Sequence, residues 1–277
     1  MSVPVITLNN GVQIPQVGYG VFQVPAEETQ RAVEAALEVG YRHIDTAAGY
    51  DNEEGVGAAL RAVGLPREDV FVTTKVRNKD HGFEETLAAF DASSTALRLD
   101  VVDLYLIHWP VPSKDGYVQT WRALEKLHAD GAARSVGVSN FLPEHLERLR
   151  TETDVVPAVN QVEVHPGYQN RAVADASAAA GVAVEAYSPL GRGAALTKPA
   201  VTGAADELGV TPAQVVLRWH VQHGRIVIPK SVTPERVAAN IDLFGFELDE
   251  DQMAAIDALD AGERTGGDPA TMDLPQG

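Results

Sequence analysis

The chain has 277 residues, 45% of them hydrophobic, and a formal net charge of −17. That length can bury one large core or two small ones, and the strong negative charge sets the average surface against nucleic acid and other polyanions. There is no cysteine, which removes disulfides, thiolate metal sites and thiol nucleophiles; with no basic-then-apolar leader and no apolar run of membrane length, the expected setting is the cytoplasm, with no membrane partner.

The chain opens on a hairpin. Short apolar runs at 5–8 and 12–15 flank Asn9-Asn10-Gly11, and Asn-Gly is a strong tight-turn signal. A strand is expected at 17–21, then a helix at 26–39 with Val33, Ala36 and Leu37 on one face and Gly40 as its stop. A strand at 41–44 precedes a helix at 52–63, which carries Glu53 and Glu54 in its first turn, where the helix dipole favours them. Further strands are expected at 70–74, 102–107, 134–138, 158–162, 182–186 and 225–228. Helical stretches fall at about 83–97, 118–130, 143–150, 170–180 and 212–222.

Eight strands thus alternate with helices at a spacing of roughly 25–35 residues, about one βα unit each. Alternation implies parallel strands covered by helices. Eight units, with no Gly-rich dinucleotide fingerprint after an early strand, favour an α/β fold of the closed (β/α)8 TIM-barrel type over an open sheet. No linker divides the chain, so residues 1–277 read as one domain, with the hairpin occupying 1–16 and a loose tail 264–277.

Three consecutive strands end on chemistry. The first stops at Asp45, with Tyr50 soon after, the second at Lys75 and the third at His108. Catalytic groups of parallel barrels gather at the carboxyl ends of strands. A phenol near a cation loses its proton more easily, so Lys75 is expected to lower the pKa of Tyr50 and make it a general acid. Asp45 would hold the ammonium, and His108 would hydrogen-bond the same carbonyl oxygen. The product would be an alcohol, and no side chain delivers the hydride, so a nicotinamide or flavin is required. A metal-dependent hydrolase built on His43, Asp45, His108 and His165 is an alternative, but it leaves Tyr50 and Lys75 unused.

A second cluster, Lys230, Ser231, Thr233 and Arg236, sits where the last strand gives way to a helix. A helix start beside two cations suits a phosphate monoester, and late loops of such barrels often hold one. Ser139, Asn140, Gln161 and Ser188 at other strand ends are candidates to bind a carboxamide. Tyr187 is a candidate to stack on a flat ring.

Several stretches together resemble the aldo-keto reductase family: 40–47, beginning Gly40-Tyr41-Arg42-His43-Ile44-Asp45; 52–57; Thr74-Lys75; 103–110, ending Ile107-His108-Trp109-Pro110; Gly137-Val138-Ser139-Asn140-Phe141; Asn160-Gln161; and Ile228-Pro229-Lys230-Ser231. Within that family the chain is most similar to the bacterial 2,5-diketo-D-gluconate reductase branch. The resemblance implies a barrel that binds NADPH across its carboxyl face and reduces aldehydes or ketones, with keto-sugars and dicarbonyls as candidates. It implies Tyr50 as proton donor, Lys75 and Asp45 as its charged partners and His108 as the orienting histidine. Ser139, Asn140, Gln161, Tyr187, Ser188 and Leu190 would surround the nicotinamide. Lys230, Ser231 and Arg236 would hold the 2′-phosphate and Asn240 the adenine, with Val232 also among the cofactor-binding residues. Phe22, Arg77 and Trp109 would line the substrate pocket, with no metal.

The chain departs from many relatives at Ala239, where an acidic residue is common, at Arg77, where a Trp is common, and at the small Gly49. The expected protein is a monomeric NADPH-dependent carbonyl reductase acting on small molecules. An NADPH-binding sensor or scaffold subunit with little turnover is the alternative.

Overall fold

The computed structural model describes residues 3–273. Strands β1 (Val5–Thr7) and β2 (Gln13–Pro15) pair antiparallel with Ile6 opposite Ile14. The turn between them forms where Asn-Gly placed it: Gly11 takes φ +84°, a region glycine enters without steric cost, and its amide donates to the Leu8 carbonyl at 2.9 Å.

Eight parallel strands follow: β3 (Tyr19–Gly20), β4 (His43–Asp45), β5 (Phe71–Val76), β6 (Val102–Ile107), β7 (Ala133–Ser139), β8 (Val159–Glu163), β9 (Ala183–Tyr187) and β10 (Ile226–Val227). They lie side by side in chain order. The sheet closes on itself: Gly18 N–H donates to the Val227 carbonyl at 2.8 Å, and Val227 N–H to the Gln16 carbonyl at 2.9 Å. The eight-unit barrel expected from the alternation is the one observed. The strands at 17–21 and 225–228 shrink to two regular residues each, because they form the seam and pair irregularly there.

Ten helices cover the sheet: α1 (Ala26–Glu38), α2 (Glu53–Val63), α3 (Phe83–Leu97), α4 (Tyr117–Ala129), α5 (Pro143–Glu152), α6 (Arg171–Ala179), α7 (Pro199–Leu208), α8 (Pro212–Gln222), α9 (Pro234–Ile241) and α10 (Glu250–Asp257), counted among the described residues. Helices α7 and α10, which pack against each other, were absent from the sequence reading. Their apolar stripes are weak, since α7 is rich in Ala and Gly and only Ile256 is buried on α10. Their end signals were present. Pro199 opens α7 and Gly209 closes it at φ +66°, and Asp249 and Gln252 form a reciprocal capping box on α10.

Two apolar regions result. Most of the core lies between sheet and helices, including the fully buried Trp121, Trp219, Tyr41 and Tyr105. A smaller cluster fills the lower lumen, where Leu8 and Ile14 of the hairpin meet Phe71, Leu104, Leu106, Val159 and Ile226. The hairpin therefore stoppers the amino-terminal mouth and leaves the carboxyl end for chemistry.

The start of the tail is tied down rather than loose. Thr265 and Gly266 donate backbone N–H groups to the Glu163 carboxylate at 2.6 and 2.9 Å, and Arg264 stacks 4.7 Å from the Tyr168 ring. The reason lies in long-range contacts with the end of β8, which composition cannot report. Residues 274–277 of the expected tail lie outside the described residues.

Gly57 in α2 marks a close approach. A Cβ there would stand 2.3 Å from the Leu97 carbonyl oxygen at the end of α3. Helix propensity alone makes Gly57→Ala a gain of about 1 kcal/mol, but backbone against backbone has little room to yield. The expected outcome is a net loss of about 1–3 kcal/mol, read as a lower urea midpoint. A raised midpoint would show that α3 shifts freely.

Candidate active site

Asp45 and Lys75 face the lumen because alternate residues of a strand share a side. β4 pairs with β5, so the two side chains meet: Lys75 Nζ donates to Asp45 Oδ1 at 2.7 Å, to Oδ2 at 2.8 Å and to the Thr46 carbonyl at 2.8 Å. Lys75 has no solvent exposure and Asp45 almost none. Burial pulls the Lys75 pKa down, but its partners, Asp45 first among them, outweigh it, leaving the ammonium above its ordinary value.

Tyr50 ends a 3-10 turn, Ala48–Tyr50, directly after β4. The Lys75 ammonium lies 5.2 Å from the centre of its ring. The His108 ring meets the Tyr50 ring edge-on at 5.6 Å, and Phe22 lies against its other side at 5.0 Å. The four tetrad residues are therefore brought together at the carboxyl face.

The electrostatics differ from expectation in one respect. Burial raises the Tyr50 pKa more than Lys75 lowers it, so the phenol stays protonated through neutral pH. An acid needs that state, but no low ground-state pKa is present. His108 is pushed well below the ordinary histidine range by burial, then by Lys75 and His81, so it stands neutral, with Nδ1 unpartnered.

The next strand ends carry the amides. Tyr187 donates its hydroxyl to Asn140 Oδ1 at 2.7 Å, and Asn140 Nδ2 donates to the His108 carbonyl at 3.0 Å. Ser139 Oγ donates to the Gln161 carbonyl at 2.8 Å. Gln161 Nε2 donates to Asp45 Oδ2 at 2.7 Å and to Glu185 Oε2 at 3.0 Å. Asn140 and Ser188 hold φ of +63° and +46°, an unusual region for residues with a Cβ that turns the chain sharply at the ends of β7 and β9. Leu190 follows in the same loop, half-buried.

The late cluster also assembles. Lys230, Val232 and Arg236 are exposed, Ser231 is half-buried and its Oγ accepts from the Thr233 amide at 3.1 Å, and Asn240 is buried on α9. Among the described residues neither Lys230 nor Arg236 has an ion-pair partner, although the chain carries 39 acidic residues. Two unpaired cations at a helix start fit a phosphate group.

Arg77 is placed differently from its expected role. Its guanidinium donates to the Ala48 carbonyl and pairs with Asp51, on either side of Tyr50. Its charge is spent on the loop that carries the phenol. Phe22 is about half exposed beside Tyr50, and Trp109 is buried next to His108, its Nε1 without a partner. Gly267 of the tail passes Trp109 and Met272, so the tail forms one wall.

Sequence reasoning missed three contributors. Asn52 accepts from Thr46 Oγ1 at 2.8 Å and donates to the Val21 and Val24 carbonyls at 3.0 and 3.2 Å, tying β3's loop to the turn. Glu163 anchors the tail. Glu185 sits buried below Gln161. Asn52 at a helix start was a readable signal; the carboxylates gave none. The alternative metal set does not assemble: His43 faces Thr73 and Glu185, His165 pairs with Glu163, and no group of three ligands suited to a metal stands among the described residues.

Residues 16–204 and 198–261 match the Aldo/keto reductase family. An aldo-keto reductase of Mycolicibacterium smegmatis is 55% identical over 271 residues, 98% of either chain. A glyoxal reductase of Bacillus subtilis is 48% identical over 265 residues, 95% of either chain. A crystal structure of a Gox0644 mutant in complex with NADPH superposes with a TM-score of 0.95 at 45% identity, covering 99% of this chain and 100% of that one. The barrel, the assembled tetrad and these likenesses agree: the chain belongs to the aldo/keto reductase family.

Proposed function

We propose that the protein reduces small aldehydes and ketones with NADPH, Tyr50 protonating the carbonyl oxygen. The observation that carries this reading is the chelated Lys75 ammonium standing beside a protonated phenol. Reduced nicotinamide, when bound, supplies the hydride. The chain's own residues do the rest. Neutral His108 donates a hydrogen bond to the carbonyl oxygen and orients it. Tyr50 donates its proton as negative charge grows on that oxygen, and Lys75 stabilises the phenolate left behind. Asp45 keeps Lys75 charged and still.

For the cofactor, Asn140, Ser139 and the side-chain oxygen of Gln161 would hold the carboxamide, with Tyr187 as the flat neighbour and Ser188 and Leu190 in the loop beside it. Lys230, Ser231, Val232 and Arg236 take the 2′-phosphate, and Asn240 the adenine, which favours NADPH over NADH. The NADPH complex of the Gox0644 mutant supports this. All four tetrad groups lie on one chain, so the chemistry needs no tetrad residue from a second copy.

For the substrate we infer a dicarbonyl or keto-sugar. The buried indole N–H of Trp109 has no partner, and a second oxygen on the substrate would satisfy it. The similarity to a glyoxal reductase supports the same class. Phe22 and Met272 provide apolar walls. Arg77, held by Asp51, does not compete for the ligand.

Three outcomes test the reading. Tyr50→Phe should lose about 10²–10⁴-fold in kcat while NADPH still quenches tryptophan fluorescence at the wild-type Kd; near-normal turnover would remove Tyr50 as the acid. Lys230→Ala with Arg236→Ala should raise the NADPH Kd about tenfold or more and leave NADH nearly unchanged; equal losses for both would refute the phosphate site. Trp109→Phe should lower kcat/KM for dicarbonyls about tenfold and spare simple aldehydes; a uniform loss would mean the indole only packs.

A further inference from the structure

Among the described residues the polar end of the lumen holds one ammonium, Lys75, and two carboxyl groups, Asp45 and Glu185. Lys75 donates to Asp45 and to the Thr46 carbonyl, and Asp45 is the carboxylate that compensates its charge. Glu185, on β9, has no solvent exposure. Its Oε2 accepts from Gln161 Nε2, the nitrogen that also donates to Asp45. Its Oε1 has no hydrogen-bond partner and lies 3.6 Å from His43 Nε2. A second buried anion here would stand uncompensated, which is costly.

We propose that Glu185 carries a proton at neutral pH and offers it to His43 Nε2, forming a neutral acid–imidazole pair that acts as a positioning residue set for the Lys75–Asp45–Tyr50 group. The groups facing Glu185 are few. From β4 come His43 and Asp45, from β5 Lys75 with the hydroxyl of Thr73, from β8 Gln161, and from the turn above Tyr50; its partner on β10, Ile226, is apolar. Burial, and then the charge of Asp45, push the Glu185 carboxyl up to about 8. Burial and the charge of Lys75 pull His43 down to about 3, so the imidazole is neutral; its Nε2 lies 3.1 Å from Thr73 Oγ1 and 3.6 Å from Glu185 Oε1. Gly18 packs against the imidazole so closely that a Cβ there would stand 2.5 Å from Nδ1.

The pair has two consequences. While Glu185 is neutral, Lys75 faces one carboxylate. When Glu185 ionises, a second negative charge enters the lumen, the Tyr50 proton is held more tightly, and reduction slows. Folding is affected with a definite sign. The native carboxyl binds its proton up to about pH 8, whereas the unfolded one releases it near 4.5. Between those values the folded state binds more protons, so this group's contribution to stability falls as pH rises.

This inference rests on the tetrad reading for its kinetic arm only. The first measurement is infrared spectroscopy of the whole protein without ligand. A protonated, hydrogen-bonded carboxyl band should be present at neutral pH, vanish above about pH 8, and be missing in Glu185→Gln. Absence of such a band in the wild type overturns the proposal. The second is the unfolding temperature: wild type should lose stability relative to Glu185→Gln between pH 4.5 and about 8, and parallel curves would overturn it. The third is kcat/KM for reduction against pH. The alkaline decline of the wild type should move up by roughly one unit in Glu185→Gln, and an unmoved decline would overturn the kinetic consequence. If Glu185→Gln fails to fold, Glu53→Gln is the second variant: burial pushes that carboxyl up as well, and loss of the whole band in Glu53→Gln would overturn the proposal. A present band with a fully active Tyr50→Phe would instead refute the acid assignment and leave the pair standing.

Discussion

The structure depends on one buried ion pair. An ammonium without water or a partner costs several kcal/mol, and removing either member of a buried pair costs about 3–5 kcal/mol. Lys75 is tolerated in the lumen because neighbouring parallel strands bring Asp45 within two short hydrogen bonds and because Thr46 turns its carbonyl toward the same nitrogen. The third of those bonds reaches the backbone just ahead of the turn that ends at Tyr50. Fold stability and site geometry are thus one interaction viewed from two sides.

The turn carrying the phenol is held by several independent ties. Asp51 takes φ +55°, a conformation that disfavours side chains with a Cβ. Arg77 clamps it from below through Asp51 and Ala48, and Asn52 fastens its far end to the loop after β3. The Asp51 carboxylate is largely exposed, so the ion pair itself is weak. Its value lies in fixing a direction for Tyr50 rather than in stability. A cation that reads in sequence as a candidate substrate contact is, in space, a bracket for the acid.

Electrostatics divide the lumen into layers. The lower part is apolar and closed by the hairpin. The upper part is polar, buried and close to neutral when Glu185 holds its proton. Burial keeps Tyr50 protonated and His108 uncharged, so the site at rest offers two neutral donors backed by one fixed ammonium. Such an arrangement is complementary to negative charge that develops during reaction, not to charge already present. It also explains why the expectation of a low phenol pKa failed. The cation lowers the phenol's pKa, but burying the phenolate costs more than the cation returns.

Much of the fold was legible because its signals are short-ranged. Hydrophobic period, Asn-Gly, and Gly or Pro at element ends are properties of a few adjacent residues, and they identified the hairpin, the eight strands and eight of the ten helices, α9 through the expected start of a helix beyond Ser231. They also placed Asp45, Lys75 and His108 at strand ends, and the strand-end rule put those ends on one face. Helices α7 and α10 escaped because their faces bury few large side chains. The partners of Arg77, the anchoring of the tail on Glu163 and the meeting of Glu185 with His43 depend on which strands become neighbours, and on the carboxyl loops folding over them. Sequence alone determined the alternation and the identity of the proton-handling groups; only closure of the sheet decided who shares the lumen, because contacts between distant segments are set by packing and by the charge that burial permits.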